Sequence, residues 1–312
     1  MSVTDNPGLT GGADPADRAG WDEHPPRMGF FTDTSICIGC KACEVACKEW
    51  NEVPEDGLNL SGMSFDNTVG LSGTTWRHVA FIEQIALGPP TSPPTGPPTP
   101  PEPGPQQAQS PRQASSTPSG PEDGPMRWLM SSDVCKHCSE AGCLDVCPTG
   151  ALMRTEFGTV VVQDDICNGC GYCVPACPFG VIGRSEIDNG AHKCTLCYDR
   201  LDAGMEPACA KACPTKSIQF GPLDELREQA QARVDGLHEA GRPEARLYLE
   251  GTDNGIGGAG AFFLLLDEPE VYGLPPDPVV STRALPAMWK HAGLAAAGLG
   301  AAALAAFAGR RR

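Results

Sequence analysis

Apolar and polar residues alternate in short bursts along most of this chain, and a long run that is both uncharged and free of Pro and polar residues appears only near its C-terminus. The bursts rich in β-branched and aromatic residues predict strands. They are GFFTDTSICIGC from Gly29, then Trp76–Gln84, Met126–Met130 and Ser217–Phe220. Leu152–Arg154 and Val160–Gln163 predict a hairpin turning at Gly158. Arg246–Glu250 and Ala261–Leu266 predict a second strand pair; the GIGGAG between them does not open a helix and reads as a plain loop. Leu223 to His238 has helical spacing and Gly241 as its stop signal, which predicts an amphipathic helix.

Two stretches fit neither period. Residues 1–28 are rich in Gly, Asp and Pro, which predicts a disordered tail. That tail has no basic start and no apolar core, so no export signal is expected there. Residues 88–125 are dominated by Pro, Ser, Gly and Thr and predict an extended or disordered insertion. The final run is different again. Ala292 to Gly309 carries no charge, and as a helix it would span about 27 Å, close to the hydrocarbon core of a bilayer. Trp289 sits where an interfacial aromatic belongs, and Arg310, Arg311 and Arg312 close the span. Its Ala and Gly content makes it a weak span. Gly298, Ala302 and Ala306 would suit close packing on another membrane helix.

The cysteines supply the chemistry. Sixteen of them fall into four runs of four. Cys167, Cys170, Cys173 and Cys177 have C-x2-C-x2-C-x3-C-P spacing, the signature of bacterial two-cluster ferredoxins, in which the fourth cysteine ligates the other cluster. Three thiolates on a tight loop wrap one face of a cubane, and the fourth, a helical turn later, faces a second site. Cys37, Cys40, Cys43 and Cys47 repeat that spacing. Cys135, Cys138, Cys143 and Cys147 vary it, and Cys194, Cys197, Cys209 and Cys213 vary it with a long insertion. Exchange of fourth ligands then predicts four [4Fe–4S] sites. They are Cys37, Cys40, Cys43 with Cys213; Cys194, Cys197, Cys209 with Cys47; Cys135, Cys138, Cys143 with Cys177; and Cys167, Cys170, Cys173 with Cys147.

Internal repeats agree. PTGAL follows Cys147, PFGVI follows Cys177 and PTKSI follows Cys213, whereas Lys48 follows Cys47. A disulfide scaffold is usual in chains under about 100 residues and needs neither C-x2-C spacing nor the Pro. Structural zinc uses C-x2-C pairs without the full ferredoxin run, and a three-iron site would lack a cysteine. Charge excludes one class of partner. A net charge of −16 argues against nucleic acid. Lys41, Lys48, Lys136, Lys193, Lys211 and Lys216 all lie within three residues of a cysteine, with Lys290 the only other lysine. Ammonium groups so placed would offset the charge of an anionic cluster. His78, His137 and His192 are expected not to be ligands.

The runs CIGCKACEVACKEWN, CKHCSEAGCLDVCPTGAL, DICNGCGYCVPACPFGVI and HKCTLCYDRLDAGMEPACAKACPT resemble the iron–sulfur (beta) subunit of membrane-bound formate dehydrogenases. More broadly they resemble the four-cluster subunits of molybdopterin oxidoreductases, including dimethyl sulfoxide and polysulfide reductases. The likeness covers Gly29 to Gly221 and the C-terminal run. The Pro-rich insertion departs from it. The GFFTDTSICIGCKACEVACKEWN opening and the single C-terminal membrane helix tilt the resemblance toward formate dehydrogenase. It implies a catalytic partner with a molybdenum or tungsten pterin, and a membrane partner of the cytochrome b or polytopic quinone-reactive type. The chain itself would be an electron-transfer subunit of anaerobic respiration, not catalytic alone.

The expected fold is α+β: two pseudo-symmetric bacterial ferredoxin-like modules, one inserted in the other, and a C-terminal transmembrane helix. The expected segments are a tail (1–28), module 1 (29–87 with 191–222), the insertion (88–125), module 2 (126–190), a helix and strand-pair extension (223–284) and the membrane helix (285–312). The terminal arginines favour the cytoplasm for that end, which leaves the cluster domain outside; a cytoplasmic cluster domain stays open. A free polyferredoxin carrier and a structural zinc protein are the readings from other classes. The apolar tail speaks against the first and the Cys-Pro repeats against the second.

Overall fold

The computed structural model describes residues 14–57, 62, 65–66, 68–87, 123–252 and 254–309. Residues 1–13 of the expected tail, most of the expected insertion (88–122) and the closing arginines lie outside the described residues. The first half of the chain contains α1 (Pro15–Arg18), β1 (Met28–Asp33), α2 (Ala42–Trp50), β2 (Arg77–Leu87), β3 (Asp123–Val134), α3 (Gly142–Asp145), β4 (Leu152–Arg154) and β5 (Val160–Val162). Then come α4 (Cys173–Ala176), β6 (Gly183–Arg184), β7 (Ala191–His192), α5 (Tyr198–Asp202), α6 (Ala208–Ala212), β8 (Ile218–Pro222), α7 (Leu223–Glu239), β9 (Arg246–Tyr248), β10 (Ala261–Leu265) and α8 (Leu285–Gly309). One compact unit ends at Phe81 and resumes at Met130; Ile82–Leu129 form another, in which Arg127 Nε donates to Gln84 Oε1 at 3.0 Å.

The principal sheet has the order β8-β1-β10-β9. β1 runs antiparallel to β8 and parallel to β10, with Phe30 opposite Phe220 on one side and Ala261 on the other. The position of β10 revises the expected organisation. The helix and strand pair expected of 223–284 are present, β10 pairing with β9, and the Ala-Phe-Phe-Leu-Leu strand, buried at every residue, also joins the sheet of β1. A continuous apolar run of this kind is covered on both faces, and it takes an interior place beside β1. α7 buries Leu223, Leu226, Ala230 and Val234, one helical stripe, and packs against β1, β8 and β9. Burial of each larger side chain in that stripe contributes about 1.5–3 kcal/mol. β2 pairs with β3, β4 with β5 and β6 with β7 in two-stranded sheets. β3 begins at Asp123, so the last residues of the expected insertion are strand.

Residues 14–27 differ from the expected tail. Ala16 is fully buried, Arg18 Nη2 donates to Ser139 O at 3.0 Å, and Trp21 Nε1 donates to Arg154 O at 3.1 Å. Hydrogen bonds to carbonyls far along the chain hold this segment, which is why hydropathy alone gives no sign of it. α8 extends seven residues before the expected uncharged run, and its described side chains are exposed. Ala287–Ala308 is long and apolar enough to cross a membrane.

Candidate iron–sulfur centres

The four C-x2-C loops share one backbone device. The residue before the second cysteine is left-handed in each: φ is 64° at Gly39, 44° at His137, 69° at Gly169 and 60° at Leu196. A left-handed residue inside a turn points successive N–H groups inward and makes a concavity suited to an anion. Short helices follow and turn the later cysteines. α2 packs on α6, and α3 packs on α4. Thus Cys43 and Cys47 face Cys209 and Cys213 across one helix pair, and Cys143 faces Cys173 and Cys177 across the other.

The side chains gather accordingly. Cys37, Cys40, Cys43 and Cys213 line one small cavity together with Val79, Ser132 and Ile218. Cys135, Cys138, Cys143 and Cys177 line a second with Val160, Val181 and Ile182. In both, three cysteines of one run meet the last cysteine of another. The remaining eight also group. Asn51 Nδ2 lies 3.7 Å from Cys47 Sγ and 3.9 Å from Cys197 Sγ. Burial, then the charges of Cys209, Cys197 and Cys43, push the Cys47 thiol up to about 12 despite Arg77. Burial likewise raises Cys173, beside Cys167, Cys170 and Cys147. All sixteen cysteines are free thiols, and several of the quartet members are deeply buried.

Neighbouring quartets also touch electrostatically. Cys43 senses Cys209, Cys194 senses Cys135, and Cys143 senses Cys173, each after the larger effect of burial. These influences run between the groups of Cys37 and Cys194, of Cys194 and Cys135, and of Cys135 and Cys167. The ends reach the surface, where Cys40 and Cys170 are exposed.

Two family models, each described as a 4Fe–4S dicluster domain, match residues 36–151 and 126–223. The nitrate-inducible formate dehydrogenase iron–sulfur subunit of Escherichia coli is 37% identical over 293 residues, 92% of this chain and 84% of that protein. The formate dehydrogenase iron–sulfur subunit of Haemophilus influenzae is 36% identical over 303 residues, 95% of this chain and 83% of that protein. The chain belongs to the formate dehydrogenase iron–sulfur subunits. The B subunit of the anaerobic dimethyl sulfoxide reductase of Escherichia coli is a more partial relative, 31% identical over 209 residues, 65% of this chain and 77% of that protein.

The residues present in this iron–sulfur subunit fit cubane clusters. Burial, followed by the charges of Cys135, Cys143 and Cys177, raises the Cys138 thiol well above its ordinary range. Four mutually repelling thiolates, one buried and three half-buried, need a cationic core among them, which iron supplies. Among the described residues no three His, Cys, Asp or Glu side chains converge on a single-ion site; two of the quartets instead surround a small space. Sulfur also receives ordinary donors. Ala191 N donates to Cys167 Sγ at 3.4 Å, Leu196 N donates to Cys194 Sγ at 3.3 Å, and Ser132 Oγ lies 3.3 Å from Cys43 Sγ. Thr149 and Thr215, each two residues after a Cys-Pro cysteine, approach Cys147 and Cys213 at 3.6 and 3.8 Å.

The lysines divide. Lys136 and Lys193 are buried among the loops: Lys136 pairs with Asp133 and donates to Val134 O, and Lys193 donates to the carbonyls of Val160 and Cys194. Lys41 pairs with Glu44 and Asp66, Lys48 pairs with Asp56, and Lys211 and Lys216 are exposed. Sequence proximity to a cysteine therefore places two of the six lysines in the interior. His78 and His192 bond Asp66 and Asp188. His137 Nδ1 accepts from Val160 N at 3.1 Å, so its hydrogen is on Nε2, which has no partner among the described residues. Burial, then Lys193 and Arg154, hold this imidazole well below its ordinary pKa and keep it neutral. Arg77, Ser132, Arg27 and Arg154 carry no spacing signal, since each reaches its loop from a strand or from the N-terminal segment: Arg77 Nη1 donates to Ser132 Oγ, Arg27 Nη2 to His137 O and Arg154 Nη2 to Cys138 O.

Proposed function

We propose that this chain is the electron-transfer subunit of a formate dehydrogenase complex and holds four [4Fe–4S] clusters. The ligand sets are Cys37, Cys40, Cys43, Cys213; Cys47, Cys194, Cys197, Cys209; Cys135, Cys138, Cys143, Cys177; and Cys147, Cys167, Cys170, Cys173. Bound there, the clusters supply one-electron redox steps in series. The observation that carries this reading is the meeting of three cysteines from one run with the fourth of another around each of two cavities. The helix pairs and the repeated left-handed position support two pseudo-symmetric ferredoxin-like modules, one interrupted by the other.

The role of the polypeptide is placement. Left-handed loop residues aim N–H groups at sulfur, helix turns separate the third and fourth cysteines, and buried cations offset thiolate charge. Exposed Cys40 and Cys170 give the series two ends, one for a molybdenum or tungsten pterin catalytic subunit and the other for a cytochrome b or quinone-reactive membrane subunit. α8 would anchor the chain beside that membrane subunit, with Arg310–Arg312 on the cytoplasmic face and the clusters outside.

The test is anaerobic purification of the native complex in detergent. About sixteen irons per chain and formate-dependent reduction of a quinone analogue are expected. Far fewer irons would defeat the four-cluster assignment. Iron at that level without reduction by formate, but with quinol-driven reduction of dimethyl sulfoxide, would move the chain to a reductase complex.

A further inference from the structure

One interior cation differs from the others. Arg77, at the start of β2, is 2% exposed, and its guanidinium stacks over Phe30 at 4.8 Å. Nη1 donates to Ser132 Oγ at 3.0 Å, and that oxygen is the one 3.3 Å from Cys43 Sγ. Nε and Nη2 are buried and have no partner among the described residues. Lys136 and Lys193, by contrast, have carbonyl or carboxylate acceptors around them.

A buried guanidinium with two unused N–H groups is costly unless something anionic lies against it. The cysteines that act most strongly on Arg77 are Cys209, Cys43, Cys194 and Cys47, each a thiolate only once a cluster is bound. Cys43 belongs to the first quartet, and the other three belong to the second. Arg77 therefore stands between two sets of ligands. Arginine suits the position because its charge is permanent and its donors lie in a rigid plane.

We propose that Arg77 sets the potentials of the two clusters held by Cys37, Cys40, Cys43, Cys213 and by Cys47, Cys194, Cys197, Cys209, with Nε–H and Nη2–H as donors to sulfur there. The inference rests on the four-cluster reading. Adding an electron to a cluster makes it more anionic, so a fixed cation and N–H···S bonds favour the reduced form and raise the potential. Cysteines of the other two quartets are not among the largest influences on Arg77, so their clusters should respond less.

The experiment is an anaerobic redox titration of the intact complex followed by electron paramagnetic resonance, on wild type and Arg77→Gln, after iron and sulfide are counted. With iron unchanged, two of the four potentials fall. Each shift is at least a tenfold loss of electron affinity, which is about 59 mV for a one-electron couple. Arg77→Lys, which keeps the charge and loses the fork, restores part of the shift. Unchanged potentials, or equal shifts in all four, overturn the proposal. Should Arg77→Gln lose its clusters, wild-type complex with 15N-labelled guanidino groups decides the matter. Nitrogen hyperfine coupling to a reduced cluster is expected, and its absence overturns the assignment. A low iron count in wild type would instead defeat the four-cluster reading itself.

Discussion

Two of the cysteine loops lie at the surface and two lie inside, and they reach the same backbone shape by different means. In the outer loops, Cys37–Cys40 and Cys167–Cys170, the left-handed residue is glycine. A Cβ on Gly39 would come within 2.6 Å of the Phe81 ring, and one on Gly169 within 2.5 Å of Asn189 O. In the inner loops, Cys135–Cys138 and Cys194–Cys197, the same position is His137 or Leu196, at 1% and 0% exposure. A left-handed non-glycine residue costs about 1–2 kcal/mol. Burial offsets that cost for Leu196, and hydrogen bonding helps offset it for His137: Val160 N binds its ring, and Arg27 Nη2 donates to its carbonyl at 3.0 Å. Loop shape is thus the fixed requirement, and the side chain that meets it depends on how closely neighbours approach.

The largest effect expected from breaking this contrast is at the outer glycines. Gly39→Val or Gly169→Val adds a clash to a disfavoured φ, and one cluster is lost from the chain. Iron per chain then falls by about a quarter, read by iron assay and by integrating the spectra of the reduced protein. Full iron in both variants would show that glycine is not required there.

Next is Leu196→Ala, which leaves a cavity beside Cys194 and Cys197 and lowers unfolding free energy by about 2–5 kcal/mol. Leu196→Gly sharpens the point. It should be less destabilising than Leu196→Ala by about 1 kcal/mol, the reverse of the usual order, because glycine removes the left-handed penalty. Denaturant unfolding of the cluster-loaded protein measures both. Arg27→Ala tests the support under the other inner loop. Loss of its bonds to Ser139 Oγ and His137 O should cost about 1.5–3 kcal/mol and leave iron content intact when unstressed.

The smallest effect concerns Asp66, which braces the outer loop through Lys41. Burial raises its pKa, but hydrogen bonds from Lys41 and His78 lower it more, and the folded value lies below 3.8. A depressed carboxylate stabilises above its unfolded pKa, and that contribution disappears as pH falls through the folded value. The stability difference between wild type and Asp66→Asn should therefore be flat from pH 7 to about 5 and shrink below 3.8. A difference that grows on acidification would reverse the sign and reject the role of this carboxylate.

Much of this is legible in the sequence. Val160–Val162 and Leu152–Arg154 pair as the Gly158 turn predicts, and α7 covers the stretch read as amphipathic. Residues 14–27 and the place of β10 were not legible as such. The first depends on arginine and tryptophan bonds to carbonyls more than 100 residues away, and no local pattern encodes a partner at that distance. The second depends on which strand lies beside β1, and an apolar run specifies burial without specifying a neighbour.

By itself, the sequence determined the number of thiols, their division into runs and the apolar C-terminal run, because ligand spacing and hydropathy are local quantities. Only the tertiary structure decided which distant residues stand against those runs. It buried Lys136 and Lys193 but left Lys211 and Lys216 exposed, and it brought Arg77 from a strand with no cysteine to a point between two quartets. The reason is physical: the cost of a buried charge depends on everything packed around it, and packing is a property of the whole fold.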